Sequence, residues 1–238
     1  MFHHLLARPL VKISAILLGS LTLAVAQADQ APPGKKESKP QLRIICVSSL
    51  SEDQETILAS RDDEGNWQEH GAFELRSSFI TDWMPADSGE LPLALRNAGE
   101  LKSICRFTCP AATKRILVVL LPNTLKKTYS ADVINPGKLN FIKGSTLVVN
   151  YSPMPGAVVL GSARTSIKSG ERLILKPKPD ANGMYRMMAA YSDSNKELVP
   201  CYDRYVSSNE EARDIILLLP DPTLGLKVFS LSEFGPFN

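Results

Sequence analysis

From Leu42 onward the sequence is a succession of short apolar runs, each stopped by turn-forming residues before a long helix could form. The runs are LRIICVSSL (42–50), RILVVLL (115–121), STLVVNY (145–151), RLILK (172–176), MYRMMAAY (184–191), DIILLL (214–219) and LKVFSL (226–231). Between them stand Asp63-Glu64-Gly65-Asn66, Asn97-Ala98-Gly99, Lys143-Gly144, Ser169-Gly170 and Asn182-Gly183. Runs of this length and composition, closely spaced and separated by Gly, Asn and Asp, read as strands of an all-β fold. Asn182-Gly183 predicts a hairpin, because both central residues of a type I′ turn need positive φ. The 17 prolines suit sheet edges and loops better than helices. Two short segments, Glu52–Ser60 and Asn209–Arg213, are the only helix candidates.

An internal echo divides the chain. KRILVVLLPNTLKKTYS (114–130) and RDIILLLPDPTLGLKVFS (213–230) share an apolar strand, Leu-Leu-Pro, Thr-Leu and a second alternating segment. The two Leu-Leu-Pro positions are separated by about the length of one β-sandwich domain. The expectation is two tandem β-sandwich (immunoglobulin-like) domains, 42–125 and 126–238.

The N-terminus carries a different signal. Arg8 and Lys12 precede the apolar run ISAILLGSLTLAV (13–25), and Ala26-Gln27-Ala28 follows as a small-x-small cleavage site. This is the pattern of a secretory signal peptide, residues 1–28. The apolar run is shorter than a spanning helix requires, so the mature chain is expected to have no transmembrane span. Cleavage would remove Arg8 and Lys12, and 27 basic against 25 acidic residues would become 25 against 25. That balance offers no basic field for nucleic acid. Residues 29–41, rich in Pro and Lys, cannot bury enough surface to offset ordering entropy and read as a flexible tether. The expected address is periplasmic, cell-surface or extracellular.

The signal peptide, the Lys/Pro tether, the RSSF segment (Arg76–Phe79) and the two strands ending in Leu-Leu-Pro together resemble a group of uncharacterised secreted bacterial proteins. The resemblance implies tandem all-β domains and export. It carries no activity and no site residues.

The chemistry-bearing residues are sparse. His70 would be the only histidine left after processing, and it reads as an exposed loop residue beside Glu69. No G-x-S-x-G elbow occurs. No catalytic residue, metal ligand set or cofactor fingerprint is predicted. Glu52-Asp53, Asp62-Asp63-Glu64 and Glu210-Glu211 read as solvated charge, and DDEGN lacks the full calcium-loop pattern. Cys46, Cys105, Cys109 and Cys201 are candidate disulfide cysteines for an oxidising compartment. On a regular strand Cys105 and Cys109 would lie about 13 Å apart at roughly 3.3 Å per residue. A bridge needs Cα atoms within about 7 Å. A local bridge therefore requires a turn, the alternative joins Cys46 to either of them, and buried free thiols are a third state. Trp67 and Trp83, the only tryptophans, are the candidate ligand-binding residues, because exposed aromatics stack on sugars or anchor partners. The functional expectation is a non-enzymatic binding or assembly module of the cell envelope, with an envelope protein or glycan as partner. The alternatives are a carbohydrate-binding or glycan-acting protein and a structural component of a surface assembly.

Overall fold

The computed structural model describes residues 39–50, 54–111, 113–235 and 237. The signal peptide and nearly all of the tether lie outside them. The first half of the chain contributes β1 (Gln41–Cys46), β2 (Glu55–Arg61), β3 (Trp67–Glu74), β4 (Phe79–Ile80), β5 (Met84–Pro85), β6 (Gly89–Asn97), β7 (Glu100–Cys109), β8 (Arg115–Asn123) and β9 (Thr128–Ile134). The second half contributes β10 (Thr146–Asn150), β11 (Gly156–Leu160), β12 (Ala163–Ile167), β13 (Arg172–Leu175), β14 (Met184–Ser192), β15 (Leu198–Ser207), β16 (Ala212–Asp221) and β17 (Gly225–Phe234). The protein is all-β, and no helix occurs among the described residues. The two helix candidates are corrected accordingly: residues 55–60 belong to β2, and 209–211 form a turn leading into β16. Tertiary pairing overrides the weak local helix preference of both segments.

Each half builds two sheets in the same order. The first half forms β4-β1-β8-β9, with β5 also on β1, and β3-β2-β6-β7. The second forms β13-β10-β16-β17 and β12-β11-β14-β15. The orders superimpose strand for strand if β4 and β5 together match β13. Both halves even share a parallel pair, β1 on β8 and β10 on β16, beside an antiparallel hairpin. The sequence echo is this equivalence, β8–β9 against β16–β17. The division expected at 125/126 falls inside the β8–β9 hairpin; the chain passes from one pair of sheets to the other over 135–145.

Side-chain alternation then stacks the four sheets. On β1, Leu42, Ile44 and Cys46 face the β3-β2-β6-β7 sheet, with Ile116, Val118 and Leu120 of β8 beside them. Ile45, Leu117 and Val119 point the other way, onto Leu147, Val149, Ile215 and Leu217 of the second half. Val148, Ile216 and Leu218 face β11 and β14, meeting Val158, Leu160 and Met187. The central strands of the two inner sheets, β1, β8, β10 and β16, are covered on both faces. That is why these strands read as unbroken apolar runs rather than alternating ones.

Turn chemistry agrees with pairing at some loops and not at others. Ala98 and Gly99 close the β6–β7 hairpin with φ of 49° and 87°, the pair of positive values a type I′ turn needs. Asn182-Gly183 forms a tight turn held by the Asp180 carboxylate, but it joins β13 to β14, which lie in different sheets. The hairpin expected there is therefore corrected.

Candidate functional site

Trp67 opens β3 at the end of the β2–β3 hairpin, half-buried, with the Arg61 guanidinium 4.3 Å from its ring centroid. Trp83 lies between β4 and β5, on the opposite face of the first half, packed against the core shared by the inner sheets. Arg43 and Arg115 place guanidinium carbons 4.8 and 5.0 Å from its ring. Cation–π attraction of this kind suits a ring held between layers. The two indoles thus serve different layers and line no common groove.

His70 is not a loop residue. It is the extra residue of a bulge in β3, where Leu58 pairs with Gly71 and Ala59 with Glu69. The bulge turns its side chain inward, leaving it 11% exposed, with Nε2 2.9 Å from Ser60 Oγ and 3.5 Å from Asp87 Oδ2. A Ser-His-Asp relay needs the hydroxyl and the carboxylate on different ring nitrogens. Here both approach Nε2, so the arrangement is a polar pin. Lys39 extends it with an ion pair to Asp87 at 2.7 Å. The Lys39 hydrogen bond is the main reason the Asp87 carboxyl is held below its ordinary range.

All four cysteines stand as free thiols. Cys46 on β1 shares one core with Cys105 and Cys109 on β7, whereas Cys201 belongs to the second half. Cys105 and Cys109 lie on the same continuous strand, so the turn a local bridge requires is not there. Burial pushes the Cys46 and Cys105 thiols up to about 11, against a small opposing effect of hydrogen bonds from Tyr129 and the backbone at Cys46. Cys109 and Cys201 are raised by the same cause. Thiols in this state are poor nucleophiles. Among the described residues no cluster of three His, Cys, Asp or Glu side chains gathers to hold a metal.

The most open polar backbone lies at the sheet edges, and the two halves treat equivalent edges differently. β7 and β15 each run ten residues and each carries a bulge, at Ile104 and at Cys201. Aligned on the bulges, Cys105, Phe107 and Cys109 correspond to Tyr202, Arg204 and Val206. Phe107 is 6% exposed in the core of its half, while Arg204 is exposed and reaches back over the Tyr202 ring at 5.8 Å. β15 also presents Leu198 and Tyr205, 62% and 68% exposed. Among the described residues its one strand partner is β14, so its outer rim of N–H and C=O groups faces away from the sheet. A second open feature is a groove of about 450 Å³ between the β3 and β4–β5 edges, lined by Phe73, Phe79 and Met84 with the Glu74–Arg76 pair at its rim.

Sequence reading missed the polar network between the inner sheets. Glu233 of β17, with a side chain 0% exposed, receives Arg213 Nε at 2.5 Å and Arg43 Nη1 at 3.1 Å. Arg43 and Glu233 are 190 residues apart, and nothing local in the sequence marks them as partners. On the other side, Asp132 of β9 pairs with Arg172 and accepts from the Tyr151 hydroxyl at 2.5 Å. The contacts are reciprocal: the last strand of each half reaches the other half. No helix among the described residues is long and apolar enough to cross a membrane. No protein-family model matches the chain, and no curated protein matches it.

Proposed function

We propose that this chain is an exported, non-enzymatic binding or assembly module of a bacterial cell envelope, which takes an extended segment of a protein partner along the edge of β15. The observation that carries the reading is the contrast between β7 and β15. The two strands hold equivalent places in the repeated sheet order, and β15 carries the exposed Arg204 where β7 carries the buried Phe107. An edge strand with free backbone groups and exposed apolar side chains is a template for strand addition. Left unoccupied, ten residues of such an edge would also be an aggregation hazard. The finer architecture in this reading is two tandem β-sandwich domains of immunoglobulin-like type. It is supported by each half's possession of two sheets around its own core. Periplasmic, cell-surface and extracellular addresses are all compatible with it.

The test places a photo-crosslinking residue at Tyr205 of the full chain in producing cells, with a second version at Arg106 on β7. The expected outcome is a defined protein adduct at 205, absent at 106 and lost when Leu198 is changed to Lys. Equal adducts at both positions, or none at 205, would refute strand addition at β15. Retention on isolated wall glycan that disappears with Trp67→Ala would favour the carbohydrate-binding alternative, to which the half-buried, guanidinium-backed Trp67 ring is suited.

A further inference from the structure

We propose that the seam between the two inner sheets holds a binding site for a small oxyanion, a carboxylate or a phosphate, built by Arg43, Arg213 and Trp83. It is independent of the β15 reading. Two guanidiniums share one carboxylate here. Arg213 Nε and Arg43 Nη1 each take a different oxygen of Glu233, and no second carboxylate pairs with either arginine among the described residues. Among the described residues one positive charge in the network has no counter-charge, although the Arg213 side chain is 3% exposed.

The hydrogen-bond inventory points the same way. Arg213 Nη1 donates to the Phe141 carbonyl at 2.9 Å and Arg43 Nη1 also to the Phe234 carbonyl at 3.4 Å, but Arg213 Nη2 is buried without a partner. Arg43 Nε and Trp83 Nε1 are also buried without partners. All three are N–H groups, which donate and cannot accept. They belong to one connected set, since the Arg43 guanidinium lies over the Trp83 ring and both arginines hold Glu233. The rings of Phe141 and Phe237, 4.6 and 4.5 Å from the Arg213 guanidinium, supply cation–π attraction but neither a lone pair nor a full negative charge. A water molecule would accept from the donors and leave the charge unanswered. An oxyanion held at the guanidiniums supplies both an acceptor and the missing negative charge, and guanidinium forks match carboxylate and phosphate oxygens in geometry. The network reaches the surface through Arg43, 13% exposed, and the neighbouring Phe234, 56% exposed.

The experiment follows thermal unfolding of the full chain in acetate, phosphate and chloride at matched pH and ionic strength. A ligand that binds only the folded state stabilises it by RT ln(1 + [L]/Kd), so Tm keeps rising with the logarithm of its concentration once that exceeds Kd. The expected result is a rise in acetate or in phosphate that follows ln(1 + [L]/Kd) and exceeds that in chloride, and the salt that gives it identifies the oxyanion. Trp83→Phe keeps a ring and removes one donor; Arg43→Gln removes the charge at the mouth. Each should weaken the apparent affinity at least tenfold, while Arg186→Gln, which breaks an exposed ion pair elsewhere, should leave it unchanged. An identical response in all three salts, or a response preserved in both seam variants, overturns the proposal. If Trp83→Phe does not fold, Arg43→Gln alone decides it.

Discussion

At the residue scale, burial decides what polar and ionisable side chains can do. The Cys46 and Cys105 thiols are among the clearest cases, since each sits in an apolar core that opposes the charged thiolate. Their folded values of about 11 against the ordinary 9.0 give a stability effect with a definite sign. Above pH 9 the unfolded chain releases protons that the folded chain retains. The contribution is therefore complete below pH 9 and is lost as pH rises towards 11, by roughly 2–3 kcal/mol per thiol at about 1.4 kcal/mol for each tenfold change in proton affinity. Urea midpoints measured at pH 8 and pH 10.5 should show this loss. Cys46→Ala should show a smaller loss across the same interval, and an equal loss in the variant would place the pH dependence elsewhere. His70 illustrates the same scale from the other side. Its position in the sequence suggested a solvated loop, and a one-residue bulge carried it inside.

At the scale of the element, the same strand position has two fates in the two halves. β7 fills its core with Ile104, Cys105, Phe107 and Cys109, all at most 6% exposed. β15 offers Arg204 where β7 has Phe107, and its apolar side chains are only partly covered. Phe107→Arg should therefore cost about 3–5 kcal/mol, as loss of a buried aromatic does. Arg204→Ala should stay within about 0.5 kcal/mol, the range of ordinary surface changes. Chemical denaturation of the two variants checks the asymmetry, and comparable losses would mean that β15 packs into its own core as firmly as β7 does. The apolar pattern made strands such as β8, β10 and β16 legible, because long apolar runs need no context. β3, β12 and β15 were harder to read. Edge strands carry mixed, half-exposed side chains, and their identity comes from the neighbour they pair with.

For the whole molecule, the core shared by the inner sheets makes the two halves one folding unit. Leu117 and Val119 of the first half meet Ile215 and Leu217 of the second, all of them 0% exposed. Leu217→Ala should destabilise by about 2–5 kcal/mol. Because both tryptophans lie in the first half, their fluorescence should report that loss although the substitution is in the second. The fluorescence transition should coincide with that seen by far-ultraviolet circular dichroism, the usual sign of cooperative unfolding. A fluorescence midpoint unmoved by Leu217→Ala would mean that the halves unfold separately.

The sequence by itself determined the all-β class, the positions of the most apolar strands and the repetition of one hairpin, because strand propensity, turn residues and period-two alternation are local properties. It also held a sign of burial on both faces, in runs such as RILVVLL, without saying which sheet would cover each face. That choice belonged to the tertiary structure. So did the meeting of Arg43, Trp83, Arg213 and Glu233, the inward turn of His70 and the exposure of β15. Each depends on the packing of segments far apart in the chain or on a change of pairing register. A slip of one residue reverses the face of every side chain beyond it, and no local pattern marks where it occurs.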